Sequence, residues 1–177
     1  NTVDYSYLGT DESVKADLSA NSATRYTTSG AADTDTLLNL QNIIGSNGND
    51  ELAGSDAQNT LKGGYGNDTI FGSKGNDYLD GGEGIDKLSY KNLANGIFVN
   101  LGTTSINGIA EGLDKDGDHQ KDDTTKNFEI FEGSDFTDTM YGSEAGDTLY
   151  GAGGADTVYG QAGDDVLDGG DGADLID

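Results

Sequence analysis

From Gly45 the chain divides without a gap into five nonapeptides, GSNGNDELA, GSDAQNTLK, GGYGNDTIF, GSKGNDYLD and GGEGIDKLS, ending at Ser89. From Gly133 it does so again, as GSDFTDTMY, GSEAGDTLY, GAGGADTVY, GQAGDDVLD and GGDGADLID, ending at Asp177. Every copy opens on Gly, carries Leu, Ile, Val or Met at its eighth position, and has Asp at its sixth, with Asn59 the exception. Ten copies in register exclude chance, and a fixed short period marks a stacked-repeat architecture before any other property is considered.

The period sets the geometry. Successive side chains of a strand alternate faces, so positions seven to nine predict a short strand with the eighth residue inward and six Gly-rich residues turning the chain. Two nonapeptides return the backbone beside its own path eighteen residues earlier, which predicts a coil of two parallel sheets. Leu52, Ile70 and Leu88 should stack on one sheet and Leu61 with Leu79 on the other. The second array repeats this with Met140, Val158 and Ile176 and with Leu149 and Leu167. The near-universal hand of parallel crossovers makes the coil right-handed. The fold class expected is therefore all-β, a right-handed parallel β-roll of two arrays joined by a β-rich segment.

Composition agrees with a fold that depends on something besides apolar burial. Only 33% of residues are apolar, the formal charge is −24, and mean hydropathy is −0.58. Such values usually mark disorder. Here, though, Pro is absent and 29 glycines accompany a set of acids that is mostly Asp, a combination that makes turns. The acidity argues against nucleic acid and anionic membranes as partners, and no stretch approaches the roughly 20 apolar residues of a membrane span. With no Cys and a single His, thiolate and ordinary zinc sites are excluded, so any metal must be held by oxygen.

The same register stacks the sixth-position carboxylates about 4.8 Å apart. Two such charges repel by about 0.9 kcal/mol even at the dielectric constant of water. A hard cation with six to eight oxygen ligands would neutralise them, taking carboxylates from Asp50, Asp68, Asp77, Asp86, Asp138, Asp147, Asp156, Asp165 and Asp174. Backbone carbonyls would come from the turns starting at Gly45, Gly63, Gly72, Gly81, Gly133, Gly142, Gly151, Gly160 and Gly169. Calcium is the expected ion. Turn chemistry alone would accept Asn or Ser at the sixth position as readily as Asp. Asn59 lies eighteen residues after Gln41, a rung expected to be amide on amide and to need no ion.

The arrays belong to a longer duplication. Tyr5, Ser6, Tyr7, Val14, Ala16 and Leu18 align with Leu88, Ser89, Tyr90, Ile97, Val99 and Leu101 at an offset of 83, and Asp35, Leu40, Ile43 and Gly45 align with Asp123, Phe128, Phe131 and Gly133 at 88. The expected cassettes are 1–89 and 90–177, the second with a longer insertion at 102–122, forming one continuous elongated domain.

At these residues the sequence resembles the repeats-in-toxin (RTX) family, whose repeat is Gly-Gly-x-Gly-x-Asp-x-U-x; GGYGNDTIF and GGEGIDKLS match in full. The resemblance implies a right-handed β-roll, export by a one-step (type I) secretion system, and calcium between turns n and n+2. Transferred position by position, ions would lie between Asp50 and Asp68, Asp68 and Asp86, Asp138 and Asp156, Asp147 and Asp165, and Asp156 and Asp174. Glu129 with Asp147 adds a further candidate; the gap between Asn59 and Asp77 lacks one carboxylate. Five to seven calcium ions follow. The lead-in DYSYLGTDESVKADLS also resembles the stretch before the roll of serralysin-type proteases, but their zinc motif is missing and protease activity does not transfer.

Other features give weaker leads. Asp114, Asp116 and Asp118, with Asp122 and Asp123, suggest an EF-hand loop but misplace its Gly and Glu, leaving either a solvated acidic loop or an extra calcium site. His119, among acids, is read as exposed rather than catalytic. Tyr141 and Tyr159 stand eighteen residues apart with Tyr150 on the opposite sheet, either as a sheet ladder or as a sugar-binding face. Lys62, Lys74 and Lys87 make the first array the better face for a polyanion such as alginate. Thr or Asn rows suited to ice are lacking, and no nucleophile motif or phosphate loop is present.

The functional expectation is a non-enzymatic calcium-binding segment of a larger secreted, extracellular or cell-surface protein. It would fold on export and support neighbouring domains of the same polypeptide, with adhesive or polysaccharide binding as the alternative.

Overall fold

In a computed structural model the described residues are 1–101, 109–113 and 123–177. They form strands and turns with no helix, and accordingly no helix is long and apolar enough to cross a membrane. The acidic stretch holding Asp114, Asp116, Asp118 and His119 lies outside the described residues.

The nonapeptide strands fall where the repeat puts them. Glu51–Ala53, Thr69–Phe71 and Lys87–Ser89 pair in parallel, with Leu52 opposite Ile70 and Ile70 opposite Leu88. Asn42–Ile44, Thr60–Tyr65 and Tyr78–Glu83 pair likewise, with Ile43, Leu61 and Leu79 in one row. In the second array Met140 faces Val158 and Val158 faces Ile176, while Leu149 faces Leu167. Each partner is eighteen residues away, so the chain coils with two nonapeptides to the turn. Thr60–Tyr65 and Tyr78–Glu83 run three residues past the expected strand, because their Gly-rich turns also stack, Gly64 on Gly82 and Tyr65 on Glu83.

One sheet spans both arrays. Lys87–Ser89 pairs with Ile130–Glu132, which pairs with Thr148–Tyr150 and then Val166–Asp168. At its other end Glu51–Ala53 pairs with Ser13–Asp17, and the antiparallel strands Ser22–Thr27 and Gly30–Thr36 complete nine strands. The 42–83 strands form a second sheet, edged by Thr2–Asp4 and extended by Asp123–Lys126 and the antiparallel Ile109–Leu113. Phe98–Asn100 heads the four-stranded sheet of the second array.

Between the sheets lies the aliphatic core. Leu52, Leu61, Ile70, Leu79, Leu88, Met140, Leu149 and Val158 are all fully buried, with Tyr5 and Tyr90 among the largest buried side chains. The stacks thin at the later end, where Leu175 and Ile176 are about half exposed.

The lead-in equivalence differs from the one read along the sequence. Tyr5 N–H donates to the Ile44 carbonyl and Tyr90 N–H to that of Glu132, both at 2.9 Å. Tyr5 therefore corresponds to Tyr90, and the offset of 83 begins only after this tyrosine: Ala16 and Leu18 do match Val99 and Leu101, their cassettes placing Leu18 N–H on Ala53 and Leu101 N–H on Tyr141. The two intervening residues of difference are absorbed in the loops that follow each tyrosine.

Leu61 fills the centre of a row between Ile43 and Leu79. Leu61→Ala should lose about 2–5 kcal/mol of unfolding free energy in saturating calcium, measured by denaturant titration. Tyr65→Ala, at a 61% exposed turn position, should change it by no more than about 0.5 kcal/mol.

Candidate metal centre

The sixth-position acids form two buried columns in the first cassette and its continuation. Down one column, Asp50 N–H donates to Asp68 Oδ1 and Asp68 N–H to Asp86 Oδ1, each at 2.8 Å. In the second array Asp138 N–H donates to Asp156 Oδ1, Asp156 N–H to Asp174 Oδ1, and Asp147 N–H to Asp165 Oδ1, at 2.8 to 3.0 Å. The five carboxylate pairs expected to share ions are thus brought together, each acid using one oxygen to receive the backbone of the preceding rung.

The second oxygen separates the sites. Asp68, Asp86 and Asp156 are at most 2% exposed, yet Oδ2 of each is buried without a hydrogen-bond partner. An uncompensated buried carboxylate is costly, and a carboxylate oxygen can only accept. Each of these acids belongs to a turn whose second and fourth residues are left-handed: Gly64 and Gly66, Gly82 and Gly84, Ala152 and Gly154, with φ between 78° and 148°. Gly163 and Gly172 hold the same fourth position behind Gln161 and Gly170. The preceding turn closes on these residues, its carbonyls aimed at their Cα atoms. A Cβ on Gly64 would meet the Ser46 carbonyl oxygen at 2.6 Å, and one on Gly66 the Gly48 oxygen at 2.5 Å. At the fourth position, glycine in all five of these turns, backbone oxygens hold the space a side chain would need and φ is positive as well.

Among the described residues no three His, Cys, Asp or Glu side chains converge on one point. A cation held here must therefore draw on paired carboxylates and several backbone carbonyls, a donor set made wholly of hard oxygen. That set suits calcium and fits neither zinc nor a redox metal.

Burial governs the electrostatics. It raises Asp68 to about 7, with Asp50 and Asp86 adding repulsion from either side. Asp86 is raised to about 6 by burial, with Glu129 and Asp80 adding to it, and Asp138 to about 6 by burial, with Asp156 contributing. Asp50 and Asp156 are also raised, again chiefly by burial. The chain without metal thus holds carboxylates in surroundings that favour their neutral form.

Three rungs have neighbours that the repeat does not reveal. Glu129 stacks on Asp86, whose N–H donates to its Oε2 at 2.8 Å, so its first neighbour is Asp86; strand register places Asp147 on its other side. Asn59 does not meet the Gln41 side chain. Its Nδ2 donates to the Gln41 backbone carbonyl at 2.8 Å, since an amide nitrogen can satisfy a carbonyl that a carboxylate cannot. Asp77 stacks not on another nonapeptide but on Asp123, which accepts Asp77 N–H at 2.8 Å and the Tyr90 hydroxyl at 2.6 Å. The first cassette has the same device, Tyr5 hydroxyl to Asp35 at 2.9 Å. The duplication had aligned Asp35 with Asp123; the mistaken tyrosine offset hid the pairing.

Tyr141 and Tyr159 stack at 5.0 Å between centroids and 18° between planes, and Phe98 leans on Tyr141 at 5.8 Å. Their faces are turned to one another along the sheet. Tyr150 lies on the other sheet, opposite Asp168.

These features define a parallel β-roll whose turns present stacked carboxylates and carbonyls. A family model of the RTX calcium-binding nonapeptide repeat matches in four copies, at residues 42–61, 54–88, 132–167 and 141–176, together just over half of the chain. The chain belongs to that family, and its repeats bind calcium. No curated protein matches the chain.

The raised acids give a pH prediction. Unfolded Asp titrates near 3.9. The folded metal-free state therefore holds extra protons between roughly pH 4 and 7, and the proton-linked stabilisation is fully present below about 4 and lost as pH rises through 6 to 7. In excess chelator, far-UV circular dichroism should show more β structure near pH 4.5 than near pH 7.5. With calcium present, the midpoint concentration for folding should rise as pH falls over the same range, because protons compete for the same oxygens.

Proposed function

We propose that this chain is a calcium-dependent folding module of a secreted protein, unstructured at cytosolic calcium and ordered outside the cell, where it acts as a rigid scaffold and assists export. The observation that carries the reading is the set of buried Asp68, Asp86 and Asp156 oxygens without a partner inside turns lined by backbone carbonyls. The residues that would hold ions are the pairs Asp50 and Asp68, Asp68 and Asp86, Asp138 and Asp156, Asp147 and Asp165, and Asp156 and Asp174. Bound calcium supplies the positive charge and oxygen coordination that these columns lack.

The chain's own residues do the rest. The aliphatic rows fix the eighteen-residue register, left-handed turns present carbonyls, and each Asp ties its rung to the one before. Cassettes 1–89 and 90–177 act as one continuous roll, the sheet through Lys87–Ser89 and Ile130–Glu132 supporting that reading. Extracellular calcium modules bind at roughly 10⁻⁴ to 10⁻³ M. Tenfold saturation contributes about 1.4 kcal/mol per site, so five sites give about 7 kcal/mol, comparable with a whole domain's stability. Type I secretion is typical of RTX proteins, and a chain that folds only outside suits passage through a narrow conduit.

A binding role has less support. A groove of about 440 Å³ beside Tyr141, with Asn100, Glu144 and Gln161 on its walls, is the observation in its favour. The ring faces a sugar would use are stacked on one another, however, and Lys74 and Lys87 already face Asp56 at 3.4 Å and Glu132 at 3.1 Å.

Calcium titration followed by far-UV circular dichroism tests the proposal. The β spectrum should appear cooperatively at submillimolar to millimolar calcium and vanish on chelation; a β spectrum at neutral pH that persists unchanged in excess chelator contradicts it.

A further inference from the structure

We propose that serine at the second position of a nonapeptide is an internal cap that takes the place of an ion in the gap that closes on its own turn, while leaving that turn's acid available to the gap that follows. Ion binding is then confined to gaps whose later turn opens Gly-Gly, Gly-Ala or Gly-Gln. The inference rests on the calcium reading above and specifies which turns carry it.

The ten turns divide evenly. Five have Ser second: Ser46, Ser55, Ser73, Ser134 and Ser143. None of these serines has a positive φ. The backbone N–H of Ser46, Ser134 and Ser143 donates to Oδ2 of Asp50, Asp138 and Asp147, and that of Ser55 to Oδ1 of Asn59, at 2.5 to 2.6 Å. Their hydroxyls add a second donor, at 2.7 Å to Asp50, 2.8 Å to Asp138 and 3.0 Å to Asp147, and the Ser73 hydroxyl reaches Asp77 Oδ2 at 2.9 Å. Donors of this kind stabilise a carboxylate as an anion without any cation.

In the other five turns the second residue, Gly64, Gly82, Ala152, Gln161 or Gly170, is left-handed, with φ from 74° to 119°. Rotating it out of the right-handed region swings its N–H away from the acid, and none of the five donates to it. Asp68, Asp86 and Asp156, the three most buried acids of this class, are left with bare Oδ2 atoms. Ala152 and Gln161 adopt this conformation despite carrying a Cβ, so glycine's freedom does not explain it; the turns that avoid it are those whose second residue has a hydroxyl to place on the acid or amide of the sixth position.

The rule decides the open cases. The gap between Asn59 and Asp77 closes on Ser73, and the gap between Glu129 and Asp147 closes on Ser143. Neither takes an ion. Asp123 above Asp77 is met by the Tyr90 hydroxyl. The edge running through Asn59, Asp77 and Asp123 is therefore a seam held by protein donors alone, while the five expected carboxylate pairs all close on a left-handed turn.

Counting ions by native mass spectrometry in saturating calcium tests the cap, with circular dichroism confirming that each variant is folded. Wild type should hold five. Ala152→Ser adds one hydroxyl at a position that already accommodates a Cβ, and should hold four. Ser73→Gly combined with Asn59→Asp opens the capped gap and should hold six. A wild-type count of six or seven, or five ions on both variants, overturns the cap while leaving the calcium reading intact. A wild type that binds none overturns both.

Discussion

The structure depends on columns of carboxylates, each lying beside its copy eighteen residues away, with Asp50, Asp68, Asp86, Asp138 and Asp156 buried. Stacked like charges in a shielded setting must be protonated, hydrogen-bonded or paired with a cation. Each response leaves its mark here: a raised Asp68, serine-capped Asp50 and Asp138, and bare oxygens on Asp86 and Asp156. The backbone follows from this demand. Turns that must present carbonyls to a gap adopt left-handed residues at two positions, the second and the fourth, and the fourth is glycine in all five such turns.

Much of this was legible because the nonapeptide determines phase. Position eight must face inward and position six must stack, so the Leu61 and Leu79 row, the Leu52, Ile70 and Leu88 row and the five carboxylate pairs all follow from counting. The parts that were not legible lie where counting stops. Glu129 comes to rest on Asp86 although 43 residues separate them, because a strand after the insertion resumes the sheet that Lys87–Ser89 had left. Asp123 joins the Asp77 rung through the same return of the chain, and Tyr90, which holds it, corresponds to Tyr5 only after a shift of two residues that sequence alignment had placed elsewhere. The second-position serines stood in plain view, yet their effect is conformational, since the sign of φ rather than the side chain alone decides whether the N–H meets the acid.

The charge of −24 and the low apolar content take on a definite meaning in this setting. Two rows of aliphatic side chains make a thin core that fixes the register of the coil. On the proposed reading, stability is thereby handed to the solution outside the protein, and a change in calcium concentration would become a change in fold. A scaffold of this kind needs no catalytic group, and its repeats belong to a family whose role is structural calcium binding.

Long-wavelength anomalous diffraction from crystals grown in calcium addresses the columns most directly. The account predicts anomalous peaks in the gaps that close on Asp68, Asp86 and Asp156, within bonding distance of their Oδ2 atoms and of the carbonyls of the preceding turn. A well-ordered roll with no anomalous density beside those three oxygens would contradict it.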